Sequence, residues 1–386
     1  MGRARNARNL SNYLAVLVCC AMWVVFGSTV LESARKHDFL NLYTGGALAR
    51  EGNFRSLHSP DLQLKQERVF VPELKPLVPF VRPHLYALLL APLSFIPFRL
   101  AFWVWLGLQS AVLVACWIWA DRKWGSDALV FGAVFLPTAL GIAHGQDCVL
   151  LLAVLILSFR FAERGWDLAA GLALGLGLIK FHLFLLWPLV LLLQKRWRML
   201  AGWCAAAGAI AGAGLVLGGV EGSLNYIRLL GNPNLERLNP SAELTISVHG
   251  LALNLAGGNL IVRAGLMVAV VVLVVYGARN APLWRTYAMA ASGSLLVPPH
   301  VYGYDAGLLL LPLWLAIFQS EQRLTRITAT VLITPIPFVM SLAGSPWAAA
   351  APIALLAFLG SLAAEVYLAR RSAESVPHRT ATIAAL

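Results

Sequence analysis

Apolar segments rivalling the thickness of a bilayer follow one another along almost the whole chain. The first runs from Tyr13 to Leu31; others lie near 84–98, 99–120, 127–143, 147–161, 167–193, 199–220, 251–277, 286–298, 306–318, 327–342 and 349–369. A straight helical span needs about 20 such residues, so several are short, and the series reads as about ten to thirteen crossings with the parity open. Only 12% of the residues are charged and 59% are hydrophobic. A soluble domain carries about 25% charged residues, so too little charge exists here to coat a soluble particle. In lipid every backbone polar group must be satisfied internally, and runs of this length do so as helices. The expected fold class is all-α and polytopic. One integral-membrane domain is expected over 1–370, with a disordered cytoplasmic tail over 371–386.

The net charge of +12 has a topological reading. Basic groups gather between apolar runs, at QKRWR (194–198), Arg279 with Arg285, EQRLTR (321–326) and ARRSAE beyond the last run. The positive-inside rule makes these cytoplasmic, with the N-terminus on the same side and an uncleaved first helix. No basic patch is interleaved with aromatic residues in a soluble segment, which argues against nucleic acid as a partner and for anionic membrane lipid. Cys19, Cys20, Cys116, Cys148 and Cys204 sit in or beside apolar runs and form no metal-type CxxC pair, so they read as packing residues.

The opposite side receives 221–250, 298–305, 344–347 and, above all, the polar stretch 32–83. Within this outer loop, apolar spacing predicts helices over Phe39–Arg50 and Pro60–Phe70 lying on the membrane surface. Pro72, Pro76, Pro79 and Pro83 then punctuate the chain before it returns to the bilayer.

Candidate chemistry gathers on that side. Asp38, flanked by His37, reads first as a helix N-cap and second as a general-base candidate. The turn His144-Gly145-Gln146-Asp147 interrupts two apolar runs and reads first as a solvated turn. Lys180 and His182 break the apolar run 167–193, which is two half-helices meeting at a break or one long tilted helix. An intramembrane cation is a functional-site candidate, or else it snorkels to an interface. Arg82 and His84 lie where the chain returns to the membrane. His300, Tyr302, Tyr304 and Asp305 cluster between two short apolar runs. The loop 221–250 adds Arg228, Arg237 and His249. Acids, imidazoles, cations and tyrosines on one side suit the polar head of a lipid-carried substrate. A channel would want a ring of repeated pore residues, and a transporter matching broken helices in two halves.

Five segments in order carry a family resemblance: DFLNLYTGGALAREGN from Asp38, RPHLYALLLAPLSFIPF from Arg82, GQDCVLLLAVLIL from Gly145, AGLALGLGLIKFHLFLLWPLVLLLQKRW from Ala170, and PPHVYGYDAGLLLLPL from Pro298. Together they resemble the family 87 glycosyltransferases, membrane proteins of the GT-C fold class that use polyprenyl-phosphate sugars. Family members often have Pro after the lysine, where this chain has Phe181, and Tyr-Pro-Pro where it has Val81-Arg82-Pro83. The resemblance implies inverting transfer of a sugar, mannose first, from a polyprenyl-phosphate donor to a lipid or glycan acceptor, outside the cytoplasmic (inner) membrane. It implies Asp38 as general base, and Arg82, Lys180, Arg228 and Arg237 around the donor phosphate. His37, Tyr43, His84, Gln146, Asp147, His182, His249, His300, Tyr302, Tyr304 and Asp305 would then line the sugar and acceptor pocket. A single acid rather than a DxD pair implies no obligate metal, and no other cofactor is expected. The competing reading is a non-enzymatic lipid or polysaccharide transporter or flippase.

Overall fold

The computed structural model describes residues 2–232 and 241–374, with side chains described over 9–25, 28, 38–232 and 241–368. Among the described residues the regular structure is all helical, with no strand. Five helices are long and apolar enough to cross a membrane, or seven if two bent pairs each count as one span.

Helix α1 runs unbroken over Gly2–Arg50. The expected break after Leu31 is absent, so Asp38 is not an N-cap, and 39–50 is not a separate surface helix. Phe39, Leu40, Leu42, Tyr43, Ala47 and Leu48 are buried. Phe39, Leu42, Tyr43 and Leu48 pack in one cluster with α3 (His84–Leu90) and the start of α4 (Phe98–Trp124), and Leu40 packs with Val71 and Leu74. Phe39 stacks on Phe98 at 5.7 Å and meets Phe102 at 5.3 Å. Only α4 is long enough to span in 84–124; α3 and its 3₁₀ continuation Ala91–Phe95 are short. The stretch 84–120 thus supplies one traverse, because Pro97 starts a new helix where hydropathy alone sees two equal runs.

At its far end α4 leads into α5 (Ser126–Val134) and α6 (Leu136–Ala143), a pair bent by 56°. Asn12 of α1 donates to Asp127 at 2.7 Å there. Helix α7 (Cys148–Glu163) returns to the same end, where Glu163 meets Lys123 at 2.6 Å.

The run 167–193 is a hairpin. Helix α8 (Asp167–Gly175) continues as a 3₁₀ stretch, Leu176–Phe184, and α9 (Trp187–Leu193) descends. Lys180 sits at the break with φ −129° and ψ 62°. Asp167 and Arg196 pair at 3.3 Å, so both limbs begin and end at one level. The descending limb lies along α13 (Leu283–Leu296): Leu186 N–H donates to Ser294 Oγ at 3.1 Å and Gln194 to Thr286 Oγ1 at 2.7 Å. The other limb crosses α10 (Trp197–Leu230) at very short range. A Cβ on Gly171 would lie 1.9 Å from the Met199 carbonyl oxygen, so only glycine fits. Small residues allow such an approach between membrane helices.

Helices α11 (Val248–Ala256), α12 (Leu260–Ala278), α14 (Leu310–Gln319), α15 (Arg323–Ile333), α16 (Ile336–Leu342) and α17 (Ala350–Glu374) complete the bundle. The segment expected as a tail from 371 thus begins inside α17, and 375–386 lie outside the described residues. Trp187, Tyr287 and Trp314 are fully buried in the main core.

Helix α2 (Pro60–Phe70) has the expected bounds but an inward polar face. Gln63 and Glu67, four residues apart, are fully buried. Gln63 exchanges hydrogen bonds with the Phe80 backbone, N–H to Oε1 at 2.9 Å and Nε2 to the carbonyl at 3.2 Å. Glu67 Oε2 accepts from Val78 N–H at 3.2 Å. The two side chains clip down the strap that delivers Arg82. Burial pushes the Glu67 carboxyl up to about 8, against a smaller lowering by the Val78 N–H. An acid with a raised folded pKa holds its proton where the unfolded chain has lost it, so its contribution to stability falls as pH rises from about 4.5 to about 8. Glu67→Gln should remove that decline. The expected result is a gap in apparent Tm favouring the variant that opens between pH 5 and pH 8, followed by tryptophan fluorescence in detergent. A constant gap would show that Glu67 ionises normally.

Candidate active site

The turn after α6 is set by local sequence. Gly145 has φ +67°, and a Cβ there would lie 3.0 Å from Phe39 Cβ. Gln146 N–H bonds back to Gly141 O at 2.9 Å, and Gly145 N–H to Ile142 O at 2.9 Å. This is the left-handed glycine stop of a helix, and it releases Gln146 and Asp147 from the helical path. Trp105 Nε1 donates to Gly145 O at 2.8 Å and fixes the turn against α4.

From this turn two side chains meet Asp38. Asp38 Oδ2 lies 2.7 Å from His144 Nδ1, and Gln146 Nε2 donates to Asp38 Oδ1 at 2.8 Å. A carboxylate only accepts, so His144 donates from Nδ1. Behind Gln146 stands Lys180, whose Nζ is 3.4 Å from Gln146 Oε1 and 3.6 Å from Asp147 Oδ1, and which is ion-paired with Asp305. Asp147 takes Arg82 in a forked pair, with Nε at 3.0 Å and Nη2 at 3.3 Å. Asp305 Oδ2 closes its own turn by accepting from Tyr302 N–H at 3.0 Å. The Lys180 ammonium lies 5.5 Å from the centre of the Tyr304 ring, which faces the His144 ring at 5.6 Å.

Exposure divides these groups in two. The side chains of Asp147, Asp305, Lys180 and Arg82 are 0%, 2%, 5% and 8% exposed, against 23% for Asp38 and 31% for His144. The cations and their counter-acids form a closed, neutral layer. Asp38 and His144 form the more exposed face. Asp38 also differs in its partners, because Asp147 and Asp305 each face a fixed cation, and a carboxylate so paired is a poor proton acceptor.

Other expected residues fall around this centre or away from it. His37 precedes Asp38 in α1. His182 lies two residues beyond the break, with its Nε2 buried and without a hydrogen-bond partner. His300 and Tyr302 belong to the segment that carries Tyr304 and Asp305. Two residues are built into other places. Tyr43 donates to Ile96 O at 2.7 Å and packs between Phe70 and Phe98. His84 is buried with His58 and Tyr226 against Gly218 of α10. His249 sits at the start of α11, its N–H on Ser247 Oγ. Arg228 is exposed near the end of α10 and bonds Asn225, and Arg237 lies outside the described residues. Sequence reading passed over His58, whose Nε2 lies 2.8 Å from Arg82 O, and Trp105; neither stands in a pattern that marks it. No group of three or more His, Cys, Asp or Glu side chains able to hold a metal occurs among the described residues.

The closed layer makes a stability prediction. Removing one charge from a buried ion network leaves another uncompensated, at a cost of about 3–5 kcal/mol. Asp147→Asn should therefore lower the apparent Tm by several degrees, read by thermal unfolding in detergent. Asp38→Asn should leave it nearly unchanged. Equal losses from both would mean that the two layers are not distinct.

No curated protein and no solved structure matches the chain. The family model described as glycosyltransferase family 87 matches residues 80–301, which hold Arg82, His144, Gln146, Asp147, Lys180 and His300. That match covers more than half of the sequence, and the chain belongs to glycosyltransferase family 87.

Proposed function

We propose that this membrane glycosyltransferase moves a sugar, mannose first among the candidates, from a polyprenyl-phosphate donor to a hydroxyl of a lipid or glycan acceptor, with inversion, in a GT-C-type architecture. The observation that carries the reading is the Asp38 carboxylate, held at both oxygens by His144 and Gln146 and partly open to an incoming molecule.

In the proposed step the acceptor hydroxyl approaches Asp38. Its oxygen forms a bond to the anomeric carbon as the bond from that carbon to the phosphate oxygen breaks. The proton passes to Asp38, and polyprenyl phosphate leaves with the electron pair. His144 orients the carboxylate through its Nδ1 hydrogen bond. Charge develops on the leaving phosphate, so cations nearby favour the transition state. Arg82 and Lys180 serve in this reading through the field of a layer in which Asp147 and Asp305 already pair them. Arg228 is the more accessible of the described candidates for direct phosphate contact. His182, His300, Tyr302 and Tyr304 border the sugar.

An extracytoplasmic position for the site, on the inner membrane, is supported by its lying at the end of the bundle opposite the basic turns at 194–198, 279–285 and 321–326, which the positive-inside rule assigns to the cytoplasm. In a cysteine-free background, Ser56→Cys should react with an impermeant maleimide on intact cells, and Arg198→Cys only after permeabilisation. The reverse pattern would put the site inside.

The decisive assay uses purified, lipid-reconstituted protein with radiolabelled polyprenyl-phosphate mannose and total cell lipid and glycan as acceptor pool. Wild type should transfer label into a new product. Asp38→Asn should reduce the rate by about 10²–10⁴, the usual contribution of a positioned base. His144→Gln should reduce it less. Full activity in Asp38→Asn would end its role as base, and no transfer by wild type would end the choice of donor.

A further inference from the structure

At the end of the molecule remote from Asp38, a cavity of about 400 Å³ opens along the outward face of α15. Arg323 and Arg326, in the first turn of the helix, line one end. Ile327, Val331 and Ile336 line the rest, together with Thr330 and Thr334. The opposite face of α15 is fully engaged, with Thr325, Ala329, Leu332 and Ile333 buried in the bundle.

Three features decide what the groove accepts. Neither guanidinium pairs with a carboxylate among the described residues. Glu365, close by in the bundle, is taken by Arg285 and Ser320. Two cations in the first turn also oppose the helix dipole, so an anion there relieves both. Next, the threonine hydroxyls are spent inside the helix. Thr330 Oγ1 donates to Arg326 O at 2.8 Å and Thr334 Oγ1 to Val331 O at 2.7 Å. The middle of the groove is therefore apolar despite its composition. Finally, α15 and α16 are bent by 47° at Thr334-Pro335, leaving Ile336 61% exposed and Val331 47% exposed on either side of the bend. A cationic head end thus leads into an apolar channel that runs along the helix toward the membrane interior.

We propose that this groove binds one anionic phospholipid, its phosphate seated on Arg323 and Arg326 and an acyl chain laid against Ile327, Val331 and Ile336. The forked geometry of arginine suits a phosphate diester, and two guanidiniums three residues apart on one helix face can share one phosphate. The apolar channel makes the occupant a lipid rather than free phosphate. The site lies far from Asp38 and holds whatever the donor or acceptor proves to be.

The test is native mass spectrometry of delipidated protein supplied with phosphatidylglycerol or phosphatidylcholine of matched chains. Wild type should retain one more phosphatidylglycerol than phosphatidylcholine. Arg323→Gln with Arg326→Gln should cut that retention about thirtyfold, at roughly 1 kcal/mol for each basic residue near an anionic lipid. Arg323→Lys with Arg326→Lys should keep most of it. Val331→Trp, at an exposed position, should block the chain and lose the lipid with the arginines intact. Equal retention of both lipids, indifference to both the charge and the tryptophan changes, or complete displacement by inorganic phosphate would overturn the proposal.

Discussion

The arrangement of this molecule depends on one buried neutral layer, Arg82–Asp147–Lys180–Asp305. Its members come from four places in the sequence: the strap before α3, the turn before α7, the break between α8 and α9, and the segment before α14. Each charge is nearly or wholly removed from solvent, and each is tolerable only because the others are there. The layer therefore fixes the relative positions of four segments more tightly than apolar packing would, since lipid-facing and core side chains are nearly interchangeable in a membrane. Gln146 hangs from this layer by its carbonyl oxygen and holds Asp38 by its amide.

The hairpin explains how a lysine comes to stand there. A continuous helix over 167–193 would carry Lys180 past the site with its backbone fully bonded. Breaking the helix at the lysine turns the chain back, so that the side chain stands at a tip. The close crossing at Gly171 and the hydrogen bonds of Leu186 and Gln194 to α13 hold both limbs. Backbone irregularity inside a membrane protein survives where protein covers it, and here α10 and α13 do so.

Much of this was legible in the sequence, and the failures share a cause. Asp38, Arg82, Gln146, Asp147, Lys180 and Asp305 stand out because polar groups are rare in an apolar chain, and rarity marks position well. Sequence did not reveal that α1 continues through 32–37. Those residues are mostly polar, and hydropathy cannot separate a polar helical turn from a loop. The same blindness assigned 39–50 and the polar face of α2 to the membrane surface, since burial against protein and burial in headgroups give one amphipathic pattern. Tyr43 and His84 were read as pocket residues because they are polar and near the right motifs. Their roles in packing depend on partners such as Ile96 and Gly218 that no local pattern announces.

The two layers of the site bear on how such a centre avoids a conflict. In the proposed reaction a base must stay open to its substrate, while cations that favour an anionic leaving group must stay charged in a place poor in water. One cluster doing both would neutralise its own base by direct pairing, as Asp147 and Asp305 are neutralised here. Placing the amide of Gln146 between Asp38 and Lys180 separates the two tasks. The amide transmits position from the cation to the carboxylate but carries no charge, so Asp38 is held in place without being paired to Lys180. An acid at position 146 would pair directly with Lys180 and repel Asp38, and a cation there would pair with Asp38 directly. A neutral side chain with both a donor and an acceptor is what this separation requires.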